Sequence, residues 1–330
     1  PKTFKVVVED KVPTIKLKAS TLKLNKVLGT EAYGQTAVTM TGAPEGYQLV
    51  DLLPAEENQD FQVHYDQQSG KLDVKLLNDQ LKNGSYTIEL QPVVQNMWAE
   101  SAEDTITLEK AVTLKVQVYE GKPAVTVKAS GKLDTIVPGS SITYTISKLT
   151  NIAGEPAGVR LEGTGSELFN IELNEEGNAV VTLKAGQEYQ KDKSYKLQLV
   201  YTIAGQEVAA NVTLKVTQSA VKFASVKALN LYQSNSRLAV VLEMTAPAGA
   251  SIDSVSLGTK TAKQFRNALG EDGVTFVELE DGKVLVSFKI ENPAYLSYGK
   301  SYTVYLDIAP EGSAANAKPT SVKLTVKTQK

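Results

Sequence analysis

The sequence predicts an all-β chain built from three tandem Greek-key sandwiches, and three observations carry this prediction. The 330 residues contain the same succession of landmarks three times. Within each copy, apolar and polar residues alternate with period two, which is typical of strands that bury one face. Turn residues separate these short strands, and long helical periodicity is lacking. Self-similarity at a long period indicates an array of like modules.

The landmarks recur in one order: Pro-x-Gly, Phe, a turn Gly, Ser-Tyr and Leu-x-Val. In the first copy they are Pro44, Gly46, Phe61, Gly70, Ser85, Tyr86, Leu114 and Val116. In the second copy they are Pro156, Gly158, Phe169, Gly177, Ser194, Tyr195, Leu214 and Val216. In the third copy they are Pro247, Gly249, Phe276, Gly282, Ser301, Tyr302, Leu324 and Val326. The Phe-to-Tyr interval is 25, 26 and 26 residues, so the copies keep a common frame.

Each copy contains a predicted hairpin that starts at its Phe. In the first copy, an alternating run from Phe61 leads through a turn at 66–70 into a second run at 72–76. The corresponding hairpins begin at Phe169 and Phe276. Asn, Asp and Gly occupy the reversals because they accept the positive φ that tight hairpin turns require.

The Tyr of each copy enters a strand directly after a turn. This placement resembles the tyrosine corner of immunoglobulin-like sandwiches, whose hydroxyl bonds back to the backbone. The resemblance implies an immunoglobulin-like fold for each sandwich. The structural frame of the repeat then consists of Phe61, Tyr86, Phe169, Tyr195, Phe276 and Tyr302.

The repeat predicts sandwich boundaries at 12–119, 120–219 and 220–330. Residues 1–11 align with the end of a copy, since Thr3-Phe4-Lys5-Val6 matches Thr113-Leu114-Lys115-Val116. We expect them to be the closing strand of a preceding repeat, or a linker, in a longer array. The alternative is an ordinary first strand of the first sandwich.

The predicted joints are short. Residues 117–124 contain Gly121 and Pro123 but no Gly/Ser tract, and such links restrict bending more than flexible linkers do. Strands rise about 3.3 Å per residue, so three sandwiches placed end to end predict a rod on the order of 100 Å.

The first copy carries an insertion with the only tryptophan of the chain. Trp98 lies beside Met97 and is followed by the acidic residues Glu100, Glu103 and Asp104. Exposed aromatic side chains anchor ligands well, which makes Trp98 and Met97 candidate binding residues. The alternative is that they cover the sandwich end or a domain joint.

The third copy carries an insertion at 259–270 that has the residues for a short helix. Its cationic side chains Lys260, Lys263 and Arg266 are candidates for a contact surface. The alternative is a decorative loop or helix without a partner.

Composition excludes several classes of protein. The 35 Lys and Arg and 37 Asp and Glu give a net charge of −2 with interspersed signs, so the basic stripe of a nucleic-acid binder is missing. No apolar run approaches the ~18–20 residues that span a bilayer, and we expect no membrane insertion. The lack of cysteine excludes disulfides, thiolate metal sites and cysteine nucleophiles.

The sequence predicts neither catalysis nor a cofactor. His64 is the only histidine and lies mid-strand, facing away from Phe61 and Tyr65. Calcium requires six to eight oxygen ligands. The joints at 119–122 and 218–221 lack the Asp-rich signatures of cadherins, and the acidic turns at 174–178 and 271–273 are too sparse. We therefore predict no metal site.

The Phe…Gly…Ser-Tyr…Leu-x-Val frame resembles the tandem immunoglobulin-like and cadherin-like repeats of bacterial cell-surface proteins, especially those of Gram-positive bacteria. The resemblance implies an extracellular, surface-bound spacer or stalk, or an adhesive region. Two alternatives are a glycan- or protein-binding module that uses the loops around Trp98, and an accessory region of a surface hydrolase. The expected partners are a host or cell-surface glycan or protein and flanking domains of the same polypeptide, and we expect a monomer.

Overall fold

The computed structural model describes residues 12–98 and 105–330. Residues 1–11, predicted to close a preceding repeat, lie outside the described residues, as do Glu100, Glu103 and Asp104. The described chain is nearly all β, as the alternating pattern predicts. None of its helices is long and apolar enough to cross a membrane.

Nine strands precede the first linker and form sandwich 1. They are β1 (Thr14–Leu17), β2 (Thr21–Asn25), β3 (Tyr33–Thr41), β4 (Tyr47–Pro54), β5 (Phe61–Asp66), β6 (Lys71–Leu76), β7 (Gly84–Asn96), β8 (Thr105–Thr107) and β9 (Val112–Tyr119). One sheet has the order β1-β3-β6-β5 and the other β2-β9-β7-β4, with β8 paired to β7.

The next eight strands form sandwich 2. They are β10 (Ala124–Gly131), β11 (Leu133–Asp134), β12 (Ser141–Thr150), β13 (Pro156–Glu162), β14 (Phe169–Leu173), β15 (Ala179–Leu183), β16 (Ser194–Ile203) and β17 (Gln206–Thr217), with a short 3-10 helix at Ser166–Leu168. The sheet orders are β10-β12-β15-β14 and β11-β17-β16-β13.

The last eight strands form sandwich 3. They are β18 (Lys222–Phe223), β19 (Leu229–Tyr232), β20 (Arg237–Thr245), β21 (Ile252–Leu257), β22 (Leu269–Leu279), β23 (Lys283–Ile290), β24 (Ser301–Pro310) and β25 (Thr320–Gln329), with helix α1 (Lys263–Ala268) and 3-10 helices at Glu280–Gly282 and Pro293–Tyr295. The sheet orders are β18-β20-β23-β22 and β19-β25-β24-β21.

When β8 of sandwich 1 is left out of the count, the strand orders of the three sandwiches are the same, which confirms the repeated immunoglobulin-like sandwich. In each sandwich the second strand pairs in parallel with the last strand, at Leu22↔Val116, Leu133↔Val216 and Leu229↔Val326. The hairpins predicted from the Phe residues are the antiparallel pairs β5–β6, β14–β15 and β22–β23. The turn predicted at 271–273 is wrong, because these residues lie within β22 at a register shift between Leu269 and Val274.

The interior of each sandwich comes from the inward positions of its strands. In sandwich 1, Leu24, Leu72, Val74, Leu90, Leu114 and Val116 are fully buried. Burial of a Leu or Val side chain contributes about 1.5–3 kcal/mol, so this alternation is the main driving force of the fold.

By compactness the chain divides into two units. Unit 1 comprises residues 1–126, 147–157 and 202–208, and unit 2 comprises 127–146, 158–201 and 209–330. The division runs through sandwich 2, so the boundaries at 119/120 and 219/220 stay predictions. Each unit contains one joint between successive sandwiches: the first joint in unit 1 and the second joint in unit 2.

Candidate functional site

Trp98 and Met97 lie just beyond the end of β7 and are exposed. Trp98 exposes 67% of its surface and Met97 56%. The Met97 amide donates a hydrogen bond to Gly46 O (2.6 Å), and the Trp98 amide donates one to Asn96 Oδ1 (3.0 Å). The backbone that carries the indole is therefore held by the end of β7 and by the turn before β4.

The Trp98 ring packs against Gly46, in the Pro-x-Gly landmark of the first repeat. A Cβ atom at Gly46 would come within 2.7–2.8 Å of Cδ2, Cε2 and Cε3 of the indole. Only glycine leaves room for the ring at this position. One face of the indole thus covers backbone while much of the side chain faces solvent.

The cationic insertion of sandwich 3 combines core packing with an exposed face. The predicted short helix forms as α1, and it places Phe265 and Ala268 in the core. Lys260, Lys263 and Arg266 are exposed, but the Arg266 guanidinium also donates to Gly258 O (2.6 Å). One of the three candidate cations is therefore already used within the sandwich.

The Phe and Tyr rings of the repeat frame meet in two of the sandwiches. The Phe61 and Tyr86 centroids are 5.7 Å apart, and those of Phe169 and Tyr195 are 5.2 Å apart in an edge-on arrangement. In sandwich 3 the ring pair in the core is Phe265 with Phe288, at 5.8 Å. Phe276 is only half-buried there, so the insertion supplies a ring that the repeat frame does not predict.

The tyrosine hydroxyls differ between sandwiches. The Tyr86 hydroxyl donates to Lys82 O (2.7 Å), which is the tyrosine-corner bond that the sequence predicts. The Tyr302 hydroxyl instead accepts from the Ser297 amide (2.7 Å). The Lys193 ammonium lies 5.1 Å from the centroid of the Tyr195 ring, a cation–π contact.

A polar cluster on the outer face of sandwich 1 was not predicted. The Tyr33 hydroxyl donates to Asp73 Oδ1 (2.6 Å), and Gln35 Nε2 donates to the same oxygen (2.7 Å). This hydrogen bond raises the pKa of Tyr33, with smaller contributions from desolvation and from the Asp73 charge. Exposed His64 lies opposite Asp73 on β5. Sequence spacing contains no signal for this cluster, because its members lie on different strands.

Within the described residues, no three or more His, Asp or Glu side chains come together in a way that could hold a metal ion. Polar side chains make hydrogen bonds at the two joints between successive sandwiches.

The first joint connects sandwiches 1 and 2 through residues 25–29, 120–122 and 151–153. Leu28 and Ile152 form an isolated parallel β-bridge, in which the Ala153 amide donates to Leu28 O (2.7 Å). Asn25 Nδ2 donates to Asn151 Oδ1 (2.7 Å). The linker is held between these amides: the Gly121 amide donates to Asn25 Oδ1 (3.3 Å), and Asn151 Nδ2 donates to the carbonyl oxygen of Lys122 (3.0 Å).

A cavity of about 550 Å³ adjoins the first joint, and Lys26 lines it. The Lys26 ammonium donates to Leu81 O (2.9 Å) and lies 3.9 Å from the Glu120 carboxylate. A cation of the protein itself is therefore held by carbonyl and carboxylate oxygens beside the linker.

The second joint connects sandwiches 2 and 3 through residues 134–137, 189–191, 218–221 and 312–316. The Ala315 amide donates to Tyr189 O (2.8 Å), and the Lys191 amide donates to Asn316 Oδ1 (2.7 Å). The Ala314 amide donates to Gln218 Oε1 in the linker (2.8 Å).

Apolar packing adds to these bonds at the second joint. Ile136 belongs to sandwich 2 by sequence, yet its side chain lies in the buried cluster of sandwich 3 and is 2% exposed. The second joint therefore combines hydrogen bonds with a shared core contact.

No protein-family model matches the chain, and no curated protein matches it in sequence. Among solved structures, the titin I67–I69 tandem (an E-to-A variant) has a TM-score of 0.37 and 10% identity, covering 98% of this chain and 100% of that one. The titin I9–I11 tandem has a TM-score of 0.36 and 8% identity, covering 96% and 99%. Cadherin-like domains 1 to 4 of zebrafish RET have a TM-score of 0.31 and 12% identity, covering 86% and 66%. These likenesses are weak, and the immunoglobulin-like topology rests on the strand order itself.

Proposed function

We propose that this chain is a non-enzymatic spacer within a larger extracellular protein of a bacterial cell surface. The observation that supports the proposal is that both joints are closed by hydrogen bonds between successive sandwiches. Backbone groups bond across each joint, and side chains from the adjoining sandwiches hold each linker. A spacer needs this property, because it has to keep its ends apart.

Relative motion is the default for domains joined by a short linker, unless their interface restrains them. Each of these hydrogen bonds contributes a net stabilisation of about 0.5–1.5 kcal/mol, because water solvates the groups that are freed when the sandwiches separate, and several such bonds close each joint. The joints are therefore expected to resist bending rather than to act as hinges. This makes a spacer a better proposal than a flexible tether.

Small-angle X-ray scattering of the whole chain tests the proposal. A spacer predicts a maximum dimension on the order of 100 Å, from about 3.3 Å per residue along strands and three sandwiches in series. It also predicts that one conformer accounts for the curve. Data that require a broad ensemble of bent conformers would contradict it.

A second candidate function is ligand binding at Trp98, to a glycan or a protein on a host or cell surface. Two observations support this candidate: the Trp98 side chain is exposed, and its ring packs against Gly46. Aromatic side chains supply large contact area at low conformational cost.

A glycan array probed with the whole chain and with Trp98→Ala tests the second candidate. Tyr295→Ala is the matched control, because Tyr295 is also an exposed aromatic, 49% accessible, in sandwich 3. Binding that is lost in Trp98→Ala and kept in Tyr295→Ala supports a site at Trp98. Equal signals from all three proteins would count against it.

A further inference from the structure

Asp134 is the most deeply buried carboxylate among the described residues. Its side chain is 0% exposed and lies at the end of β11, where the parallel pairing with β17 stops. The carboxylate continues that pairing, because Asp134 Oδ1 accepts the amide of linker residue Ser219 (3.1 Å). Asp134 Oδ2 also accepts the Ser219 hydroxyl. A side chain of sandwich 2 thereby holds the linker where the backbone ladder has ended.

The same carboxylate reaches the apolar contact with sandwich 3. Asp134 Oδ1 accepts the amide of Ile136 (3.4 Å), whose side chain is buried in the core of sandwich 3. Beyond the linker, the Thr320 hydroxyl of sandwich 3 donates to Val221 O (3.0 Å). The bonds therefore run from Asp134 through Ser219 toward sandwich 3 on one side, and through Ile136 on the other.

The Lys132 ammonium favours the ionised form of Asp134. The Lys132 ammonium lies 3.0 Å from Asp134 Oδ2 and 3.0 Å from the Ser219 hydroxyl. Asp134 also lines a cavity of about 380 Å³, and the other titratable side chains of that cavity are Lys184, Glu188 and Tyr189. Lys132 supplies the opposite charge that a buried carboxylate requires.

We propose that the Asp134 carboxylate is a latch that fixes sandwich 3 against sandwich 2 through Ser219 and Ile136. This inference rests on the proposed spacer function and specifies which group keeps the second joint closed. Asp134 is a positioning residue: its removal frees the joint while both sandwiches stay folded. The latch acts on the linker rather than on either core.

Double electron–electron resonance on the whole chain tests the latch. The sequence contains no cysteine, so Asn170→Cys in sandwich 2 and Lys323→Cys in sandwich 3 place two spin labels at exposed strand positions. We expect a narrow distance distribution in the otherwise unchanged chain and a clearly broader one in Asp134→Asn. Asparagine keeps the shape but cannot accept bonds at both positions of the carboxylate.

Ser219→Ala provides a second variant, which removes one donor and leaves the buried carboxylate in place. Hydrogen exchange at the Ser219 amide is the accompanying readout. Asparagine keeps a neutral Oδ1 that can still accept this amide, so the change from a charged to a neutral acceptor predicts exchange that is roughly 10-fold faster in Asp134→Asn. Asp253→Asn, an exposed aspartate of β21, is the matched control and should match the parent in both measurements.

The outcomes separate the two proposals. A broad distribution in the parent chain would contradict the spacer function itself. A narrow parent distribution that stays narrow in Asp134→Asn and Ser219→Ala, with unchanged Ser219 exchange, would overturn only the latch. If Asp134→Asn fails to fold, the Ser219→Ala distribution and exchange rate decide the question alone.

Discussion

The two joints between successive sandwiches hold their linkers with different chemical groups. The first joint holds its linker between two neutral amides, Asn25 and Asn151. The second holds its linker with a buried carboxylate, Asp134, and adds the apolar contact of Ile136. Bonds to a charged acceptor are stronger than bonds between neutral groups. The comparison teaches that the second joint should be the stiffer one, and that its strength should depend on charge.

The largest expected effect comes from the apolar contact that Ile136 makes at the second joint. Ile136→Ala should lower the free energy of unfolding by about 2–5 kcal/mol, since it removes a buried side chain from a packed core. Leu28→Ala at the first joint should cost less, because Leu28 is only half-buried. Urea denaturation of both variants measures the difference. Equal losses would break the comparison.

The next largest expected effect on stability comes from the negative charge of Asp134 at the second joint. Burial raises the pKa of Asp134, but the hydrogen bonds from the Ser219 hydroxyl and amide, from Lys132 and from Ile136 outweigh it, so the pKa lies below its usual range. The ionised form therefore stabilises the fold. This stability is fully present above the unfolded-state pKa, and it is lost as the pH falls through the lowered folded-state pKa.

Asp134→Asn should therefore cost about 1.5–3 kcal/mol at neutral pH. The cost should shrink in strongly acidic solution, below the usual pKa of an aspartate. Asn25→Ala at the first joint should show no such dependence, because amides do not titrate there. Urea denaturation at several pH values checks both variants, and a cost for Asp134→Asn that is constant with pH would count against the charge argument.

Replacing a joint glycine by alanine should destabilise both joints to a similar extent. Gly29 and Gly312 both have positive φ, and a Cβ atom at either would overlap a carbonyl oxygen of the neighbouring sandwich, Ala153 O or Thr135 O. Gly29→Ala and Gly312→Ala should each cost about 1–3 kcal/mol, from backbone strain and from the opened contact. Amide exchange at Ala153 and Ala315, which donate across the first and the second joint, locates the opening. Gly139→Ala is the control, since it shares the positive φ but would meet no atom within 4 Å.

The smallest effect lies in the buried interior of sandwich 2. The Tyr201 hydroxyl is buried and has no hydrogen-bond partner in the described part of the chain. Burial, with a further contribution from Tyr144, raises the pKa of Tyr201 to about 12. Tyr201→Phe should therefore leave stability unchanged or raise it by up to about 1 kcal/mol. A raised pKa opposes ionisation, so the parent chain should lose stability above pH 10 while Tyr201→Phe loses less. Thermal melts at pH 7 and 11 measure both effects.

Much of the fold could be predicted from the sequence, because hairpins are local and their alternation is visible. Phe61 and Leu72 lie within one hairpin, and their spacing fixes the strands and the turn. The residues of the insertion at 259–270 predict the short helix α1, but not the burial of Phe265, because a single helical turn gives too little periodicity to show which side is buried.

The joints could not be predicted in the same way. Asp134 and Ser219 are 85 residues apart, and Asn25 and Asn151 are 126 apart. Single polar residues at such separations carry no pattern, so the sequence indicated short linkers but not the groups that hold them. The two-residue strand β11 is likewise too short to show alternation, although it places the latch.

Residual dipolar couplings of the whole chain test most directly whether the joints are held. If both joints are closed, backbone couplings from sandwiches 1, 2 and 3 should fit alignment tensors of the same magnitude and rhombicity. Tensors whose magnitudes differ several-fold between neighbouring sandwiches would show that those sandwiches move independently, and would contradict the account.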